Sequence, residues 1–220
     1  MRTVSIAGIG LERALKEAAA IICAGGVAAY PTESFYALGA DATNPAAVEK
    51  IFALKGREAG KPLPVIVHDI PAIWKLAPCV PPKAARAAGL LLPGPVTLIF
   101  EAATEIPDNL TAGTGTIAVR VPDHEAAAGL ARAAGVPVTA TSANLSGLPG
   151  ITEPAEISRI FGDKIDLLVD GGATPGEPVS TLLDMTAVPP KILRRGALPR
   201  ERIESLLGGL YDAAPGKVNY

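Results

Sequence analysis

The chain has 220 residues and a formal net charge of −2, and 49% of its residues are hydrophobic while only 4% are aromatic. This apolar content is enough to offset chain entropy, which excludes intrinsic disorder, and the near-neutral charge disfavours a dedicated nucleic-acid binder. Two cysteines and two histidines, spread along the sequence, are too few for a disulfide framework or a structural zinc site.

The predicted elements of the first half alternate between helices and short apolar strands. Leu11, Leu15 and Ile22 recur at helical spacing, and the Gly25-Gly26 pair is typical of a helix end. In chain order we predict a helix over 11–22, a strand over 27–30, a helix over 45–55, a strand over 65–67, a helix over 82–91, and strands over 96–100 and 117–121.

The second half keeps the same alternation. Asp123 and Thr152 are candidate N-caps, because their side chains can accept hydrogen bonds from the free N–H groups of a first helical turn. We predict helices from these caps to 133 and 161, strands over 138–141, 165–170, 180–184 and 191–193, a final helix over 199–207, and a frayed tail over 208–220.

This alternation, without an internal repeat or a long linker, favours one α/β domain over 1–220. Several joins between strands are too short for a helix, so we expect an open, twisted sheet of mixed parallel and antiparallel strands flanked by helices. The apolar stretch 18–29 has 12 residues, against the ~20 needed to cross a bilayer, and the start is unlike a signal peptide. We therefore expect a cytoplasmic protein without membrane contact, with Cys23 and Cys79 in its core.

Four segments carry more polar side chains than a core needs. Residues 30–41 and 139–147 each follow an apolar strand, so they suit either ligand-binding loops or turns whose side chains bind their own backbone. Lys55-Gly-Arg57 is either a cationic hook for one anion or the usual basic end of a helix. Arg120 and Arg194 follow apolar residues and need anionic partners.

Several common catalytic motifs are absent from the sequence. It contains no P-loop, no Gly-x-Gly-x-x-Gly fingerprint and no Gly-x-Ser-x-Gly nucleophile elbow. His124-Glu125 lacks the second histidine of a zinc protease motif. The sequence therefore gives no sign of a P-loop nucleotide site, a zinc protease centre or a serine-hydrolase nucleophile.

In order along the chain, these segments resemble the YrdC-like family of threonylcarbamoyl-AMP synthases. The resemblance covers nearly the whole chain, from about Leu11 to the final helix. It is carried by the segments 30–33, 55–57, 61–63, 93–97, 116–122, 142–147, 180–181 and 193–196.

The resemblance implies an α/β fold with a deep, positively charged concave face. It also implies ATP-dependent joining of L-threonine and bicarbonate to give threonylcarbamoyl-AMP and pyrophosphate, with Mg²⁺ on the ATP phosphates. A downstream threonylcarbamoyl-transferase complex would then modify tRNA, which this chain itself would contact weakly at most.

The same resemblance assigns site residues. It implies Lys55 and Arg57 as the catalytic cations, and it places Thr32, Arg120 and Ser180 on threonine. His68, which stands two residues further along its strand than in many members, is a further candidate for threonine. The implied nucleotide contacts are Arg57, Lys61, Thr116, Ala140, Ser142, Asn144 and Arg194.

Two other readings fit parts of the sequence. Lys61-Pro-Leu is similar to the related domain of hydrogenase-maturation carbamoyltransferases, which would make a carbamoyl adenylate from carbamoyl phosphate. A local basic stretch, from Lys191 to Arg202, would alternatively suit a non-catalytic RNA-binding module.

Overall fold

A computed structural model describes residues 1–57 and 60–208, together with the backbone of 211–212. Most of the predicted frayed tail, 208–220, lies outside the described residues. Within the described residues the helices are α1 Ile6–Ile9, α2 Leu11–Cys23, α3 Pro45–Lys55, α4 Ile70–Leu76, α5 Pro82–Leu91, α6 Asp108–Thr111, α7 Glu125–Ala134, α8 Pro154–Phe161 and α9 Arg200–Leu207.

The strands of the described residues form two mixed sheets. They are β1 Arg2–Ser5, β2 Ala28–Tyr30, β3 Ala37–Gly39, β4 Val65–Ile66, β5 Val96–Glu101, β6 Thr116–Arg120, β7 Val138–Thr139, β8 Thr141–Ser142, β9 Leu167–Asp170, β10 Thr181–Asp184, β11 Lys191–Arg194 and β12 Tyr211–Asp212. One sheet has the order β1-β9-β2-β3-β8, and the other has the order β12-β11-β10-β5-β6-β4-β7.

The predicted mixed α/β architecture is confirmed, although the strands divide between two sheets instead of one. The sheets meet where β7 crosses the end of β3. There the Thr139 N–H donates to the Ala40 carbonyl at 2.9 Å, and the buried Thr139 hydroxyl donates to the Leu38 carbonyl at 3.0 Å. The predicted strand over 138–141 is accordingly broken at Ala140, because its two halves pair with different sheets.

Local sequence signals account for the long helices. Asn44 caps α3 by accepting hydrogen bonds from the Ala46 and Ala47 N–H groups, with Pro45 at the first helical position. The buried face of α2 includes Leu15 and Ile22, at the predicted spacing. The alanines of α2 and α7 allow these two helices to pack closely against each other within one buried apolar cluster, where α2 contacts β9 and β2 of the five-stranded sheet and α7 contacts β4 of the seven-stranded sheet.

Several sequence predictions are wrong in detail. Neither Asp123 nor Thr152 is an N-cap: α7 begins after His124, because the Asp123 carboxylate instead bonds Arg120, and α8 begins after Glu153. Cys23 and Cys79 are exposed, not buried. The elements β1, α1, β3, α4 and α6 were not predicted, since each is only three to seven residues long and lacks a clear periodic pattern.

Candidate active site

A cavity of about 180 Å³ opens between the two sheets. Its walls come from the loop after β2, the end of β6, β8, the start of β10 and the end of β11. This volume is below the ~300 Å³ of a typical small-molecule pocket, so a nucleotide would extend beyond it. The polar residues lining it are Thr32, Glu33, Ser34, Arg57, Thr97, Arg120, Thr141, Ser142, Ser180 and Arg194.

Lys55 lies behind this cavity and fixes one of its walls. Its ammonium donates to the backbone carbonyls of Ser142 and Asn144, the latter at 3.0 Å, and to the Asn144 side-chain oxygen at 2.9 Å. The Ser142 hydroxyl donates to the same amide oxygen at 2.6 Å. Burial, with a smaller contribution from nearby Arg57, lowers the pKa of Lys55 to about 7.

Arg57 reaches the cavity from the end of α3. Gly56 ends the helix in the left-handed region, at a φ of 56°, which turns the chain away from the helix axis. The Arg57 guanidinium donates to the Lys61 carbonyl at 3.3 Å and to the Pro62 carbonyl at 2.9 Å. Burial lowers its pKa, although a guanidinium keeps its charge at neutral pH. Of the two cations in the expected hook, Arg57 lines the cavity, whereas the Lys55 ammonium lies behind it and is bound to oxygen atoms of Ser142 and Asn144.

Arg194 and Ser180 form a second arm of the site. The Arg194 guanidinium donates to the Ser180 carbonyl at 3.0 and 3.2 Å and to the Ser180 hydroxyl at 3.2 Å. The Ser180 hydroxyl also lies 2.8 Å from the Thr97 hydroxyl on β5. Burial lowers the pKa of Arg194. These contacts fix the orientation of Arg194 and Ser180 across the junction of β10 and β11.

Arg120, at the end of β6, is held on three sides. Its Nε donates to the Gly94 carbonyl at 2.8 Å, one terminal nitrogen pairs with Glu33, and the other donates to Asp123 at 3.3 Å. The anionic partner that the sequence required is therefore supplied by the chain itself. Each terminal nitrogen carries a second N–H, so the guanidinium can still bind a carboxylate.

Thr32 belongs to a turn that borders the cavity. Its hydroxyl donates to the Phe35 carbonyl at 2.6 Å and accepts the Ser34 N–H at 3.2 Å, which is the bonding of a turn. Thr32 also lines the cavity, so its position is compatible with the predicted contact to threonine.

The structure brings together seven of the predicted site residues as cavity lining: Thr32, Arg57, Arg120, Ala140, Ser142, Ser180 and Arg194. Asn144 is buried behind Ser142, where its side-chain nitrogen donates to the Leu145 and Leu148 carbonyls. The N–H of Ala140 already donates to the Pro64 carbonyl at 2.8 Å.

Besides Lys55 and Asn144, three predicted residues do not line the cavity. Thr116 begins β6 and Arg120 ends it, which puts the two about 13 Å apart at the rise of a strand. Lys61 reaches the site through its backbone carbonyl, which accepts from Arg57. His68 follows β4 and lies beside the Asp69 carboxylate, at 3.4 Å.

Four polar cavity residues were not predicted as site residues: Glu33, Ser34, Thr97 and Thr141. Glu33 belongs to the segment 30–33, where an acidic side chain in a loop after a strand was a usable signal. Thr97 lies inside a buried strand, where a threonine is unremarkable until its contact with Ser180 is seen.

The site combines convergent cations with hydroxyl groups and buried walls. Three guanidinium groups, from Arg57, Arg120 and Arg194, line one small cavity. Such a surface can hold phosphate or carboxylate oxygens and stabilise charge that develops on them. In the described part of the chain, no group of three or more His, Cys, Asp or Glu side chains is placed to hold a metal ion.

Comparison with known proteins gives consistent matches. The family model described as "Telomere recombination", for Sua5, YciO and YrdC proteins, matches residues 20–196. A threonylcarbamoyl-AMP synthase of Pyrococcus abyssi is 39% identical over 94% of this chain and 61% of its own length. One from Bacillus subtilis is 38% identical over 90% of this chain and 57% of its own length.

The fold matches are equally extensive. The crystal structure of P. abyssi Sua5 complexed with L-threonine superimposes with a TM-score of 0.89 at 37% identity, over 96% of this chain and 62% of that one. The chain thus spans about three fifths of the length of these relatives. Within residues 1–57 and 60–208, no helix is long and apolar enough to span a membrane.

Proposed function

The chain belongs to the Sua5/YciO/YrdC family, and we propose that it makes L-threonylcarbamoyl-AMP from L-threonine, bicarbonate and ATP, with release of pyrophosphate. This nucleotidyl transfer would be the first step of tRNA threonylcarbamoyladenosine formation. The observation that carries the proposal is the convergence of three guanidinium groups and the hydroxyls of Thr32, Ser142 and Ser180 on one cavity between the sheets.

The amino acid binds at Arg120. The second N–H of each terminal nitrogen of Arg120 receives the substrate carboxylate, and the hydroxyls of Thr32 and Ser180 line the same space. The P. abyssi relative was crystallised with L-threonine, which supports this choice of amino acid.

The phosphates bind Arg57 and Arg194, which line the same cavity. A carbamate oxygen formed on the amino acid attacks the α-phosphate, and pyrophosphate leaves on the opposite side. Charge then spreads over phosphate oxygens, so positioning and electrostatic stabilisation supply most of the catalysis. The Ser142 hydroxyl, whose proton is donated to Asn144, accepts a hydrogen bond from the nucleotide, and Lys55 and Asn144 hold this wall in place.

Mg²⁺ enters with ATP, as part of the substrate. No group of three or more His, Cys, Asp or Glu side chains in the described residues could hold a metal ion, so phosphate oxygens and water are its expected ligands. We further propose that the protein works in the cytoplasm and passes its product to a threonylcarbamoyl-transferase complex, with weak tRNA contact at most.

The direct test is pyrophosphate release from ATP, with and without L-threonine and bicarbonate. Arg57→Ala and Ser142→Ala should lower turnover, by about 10²–10³-fold for the cation, while thermal unfolding stays cooperative. Arg86→Ala, on the exposed face of α5, is the matched control and should behave as wild type.

Three outcomes would contradict the proposal. Pyrophosphate release that ignores both co-substrates would remove the synthase assignment. Turnover of carbamoyl phosphate instead would favour the related carbamoyl-adenylate reaction. Tight, strongly salt-dependent RNA binding without ATP turnover would favour an RNA-binding module.

A further inference from the structure

Among the described residues that line the cavity, Glu33 is the one acidic side chain, and one of its two carboxylate oxygens has no hydrogen-bond partner. One oxygen pairs with the Arg120 guanidinium. The other is shielded from solvent, and no hydrogen-bond donor of the described residues reaches it. A buried acceptor without a donor is unfavourable, most of all when it carries charge, so this oxygen is suited to a donor brought by a ligand.

The charges around Glu33 favour a cationic donor. Arg120 is shared between the carboxylates of Glu33 and Asp123, which leaves the three groups with one net negative charge. Burial lowers the pKa of His124, so this neighbour is neutral at pH 7. Tyr30, whose pKa burial raises, also remains uncharged.

The pair also matches the two charges of a free amino acid. The substrate carboxylate can take the remaining N–H groups of Arg120, while the substrate ammonium can donate to the open oxygen of Glu33. The positive Arg120 thus faces the negative substrate carboxylate, and the negative Glu33 faces the positive substrate ammonium. A neutral residue at position 33 would leave the ammonium buried without a counter-charge.

We propose that Glu33 binds the α-ammonium of the amino acid substrate and is the base that removes its proton. This inference rests on the proposed function. The ammonium gives one proton to the open carboxylate oxygen, which leaves a neutral amine with a free electron pair. The amine nitrogen attacks the carbon of bicarbonate, and loss of water leaves a carbamate with a new N–C bond. The proton then passes from Glu33 to water, so the carboxylate is regenerated.

The first test compares Glu33→Gln with Asp123→Asn across a range of pH. Both variants remove one carboxylate partner of Arg120, but the Asp123 side chain is 54% exposed and does not line the cavity. For Glu33→Gln we expect kcat/KM for threonine to fall by about 10²-fold or more at pH 7. The deficit relative to wild type should shrink as the pH passes the pKa of the substrate's amino group, because the amine then arrives deprotonated.

Asp123→Asn should cause a smaller loss that is the same at every pH. A Glu33→Gln deficit that does not vary with pH, or that Asp123→Asn reproduces, would overturn the assignment. Glu33→Asp keeps the charge and should recover part of the activity, which a purely structural role would not predict.

The second test needs no variant and no turnover. Calorimetry on the wild-type chain compares L-threonine with its 2-hydroxy analogue, in which a hydroxyl replaces the amine. We expect the analogue to bind at least about tenfold more weakly at pH 7, and equal affinities would overturn the ammonium contact. A wild-type chain that binds threonine but releases no pyrophosphate would refute the proposed function separately.

Discussion

A methyl group at Gly196 tests how closely the site depends on the contact between two backbone segments. Gly196 follows β11 and packs against the residues that lead into β10. A Cβ at this position would lie 2.3 Å from the Val179 carbonyl oxygen and 2.6 Å from that of Ser180. Both contacts are with backbone atoms, which cannot rotate away as a side chain could.

The size of the effect follows from these distances. Real Cβ atoms essentially never approach another heavy atom within 3.0 Å, so Gly196→Ala must separate the two segments by at least about 0.7 Å. The Ser180 carbonyl that would move accepts from Arg194 at 3.0 Å. A misplacement near 1 Å can cost about 10²-fold in rate, so we expect turnover to fall by about 10- to 100-fold. Overpacking should also destabilise the fold by about 1–3 kcal/mol.

The assay measures pyrophosphate release and urea unfolding on the same preparations. Gly89→Ala is the matched control, because a Cβ there meets nothing within 4 Å and Gly89 lies exposed on α5. This control should keep full turnover and gain about 0.5–1 kcal/mol, since alanine favours a helix over glycine. Wild-type turnover and stability in Gly196→Ala would refute the argument from backbone contact.

Two further predictions concern stability. Because Lys55 has a pKa of about 7 when folded and an ordinary value of 10.5, the unfolded chain holds a proton that the folded chain releases. Stability should therefore rise with pH between these values, and this part of the Tm profile should vanish in Lys55→Met. Thr139→Val removes the hydroxyl that accepts from the Ala40 N–H and donates to the Leu38 carbonyl. It should lower the free energy of unfolding by about 1–3 kcal/mol while turnover persists, and an unchanged urea midpoint would contradict this account of how the sheets are joined.

The helices whose bounds were predicted most closely are those that local interactions along the chain determine. The α5 helix has its predicted bounds, Pro82–Leu91, and α3 runs from its predicted proline to Lys55. A proline at the first turn and apolar residues at helical spacing act within a few residues of chain. The helix-capping error at Asp123 has a different origin. Its carboxylate bonds Arg120, three residues earlier, and the long-range contacts of Arg120 with Gly94 and Glu33 hold that guanidinium within its reach.

The sequence alone determined the alternation of helices and strands, the mixed α/β class, the polar loops, and the order of motifs from which the family could be named. Tertiary structure decided which of those loops meet and what each charge is bound to. Lys55 is held by residues 87 and 89 positions away, and Arg120 by Glu33, 87 positions away. The physical reason is that local sequence specifies the helix, strand or loop in which a side chain lies. Its partner depends on which strands pair and which carbonyls become buried beside it, and only the folded chain brings those groups together.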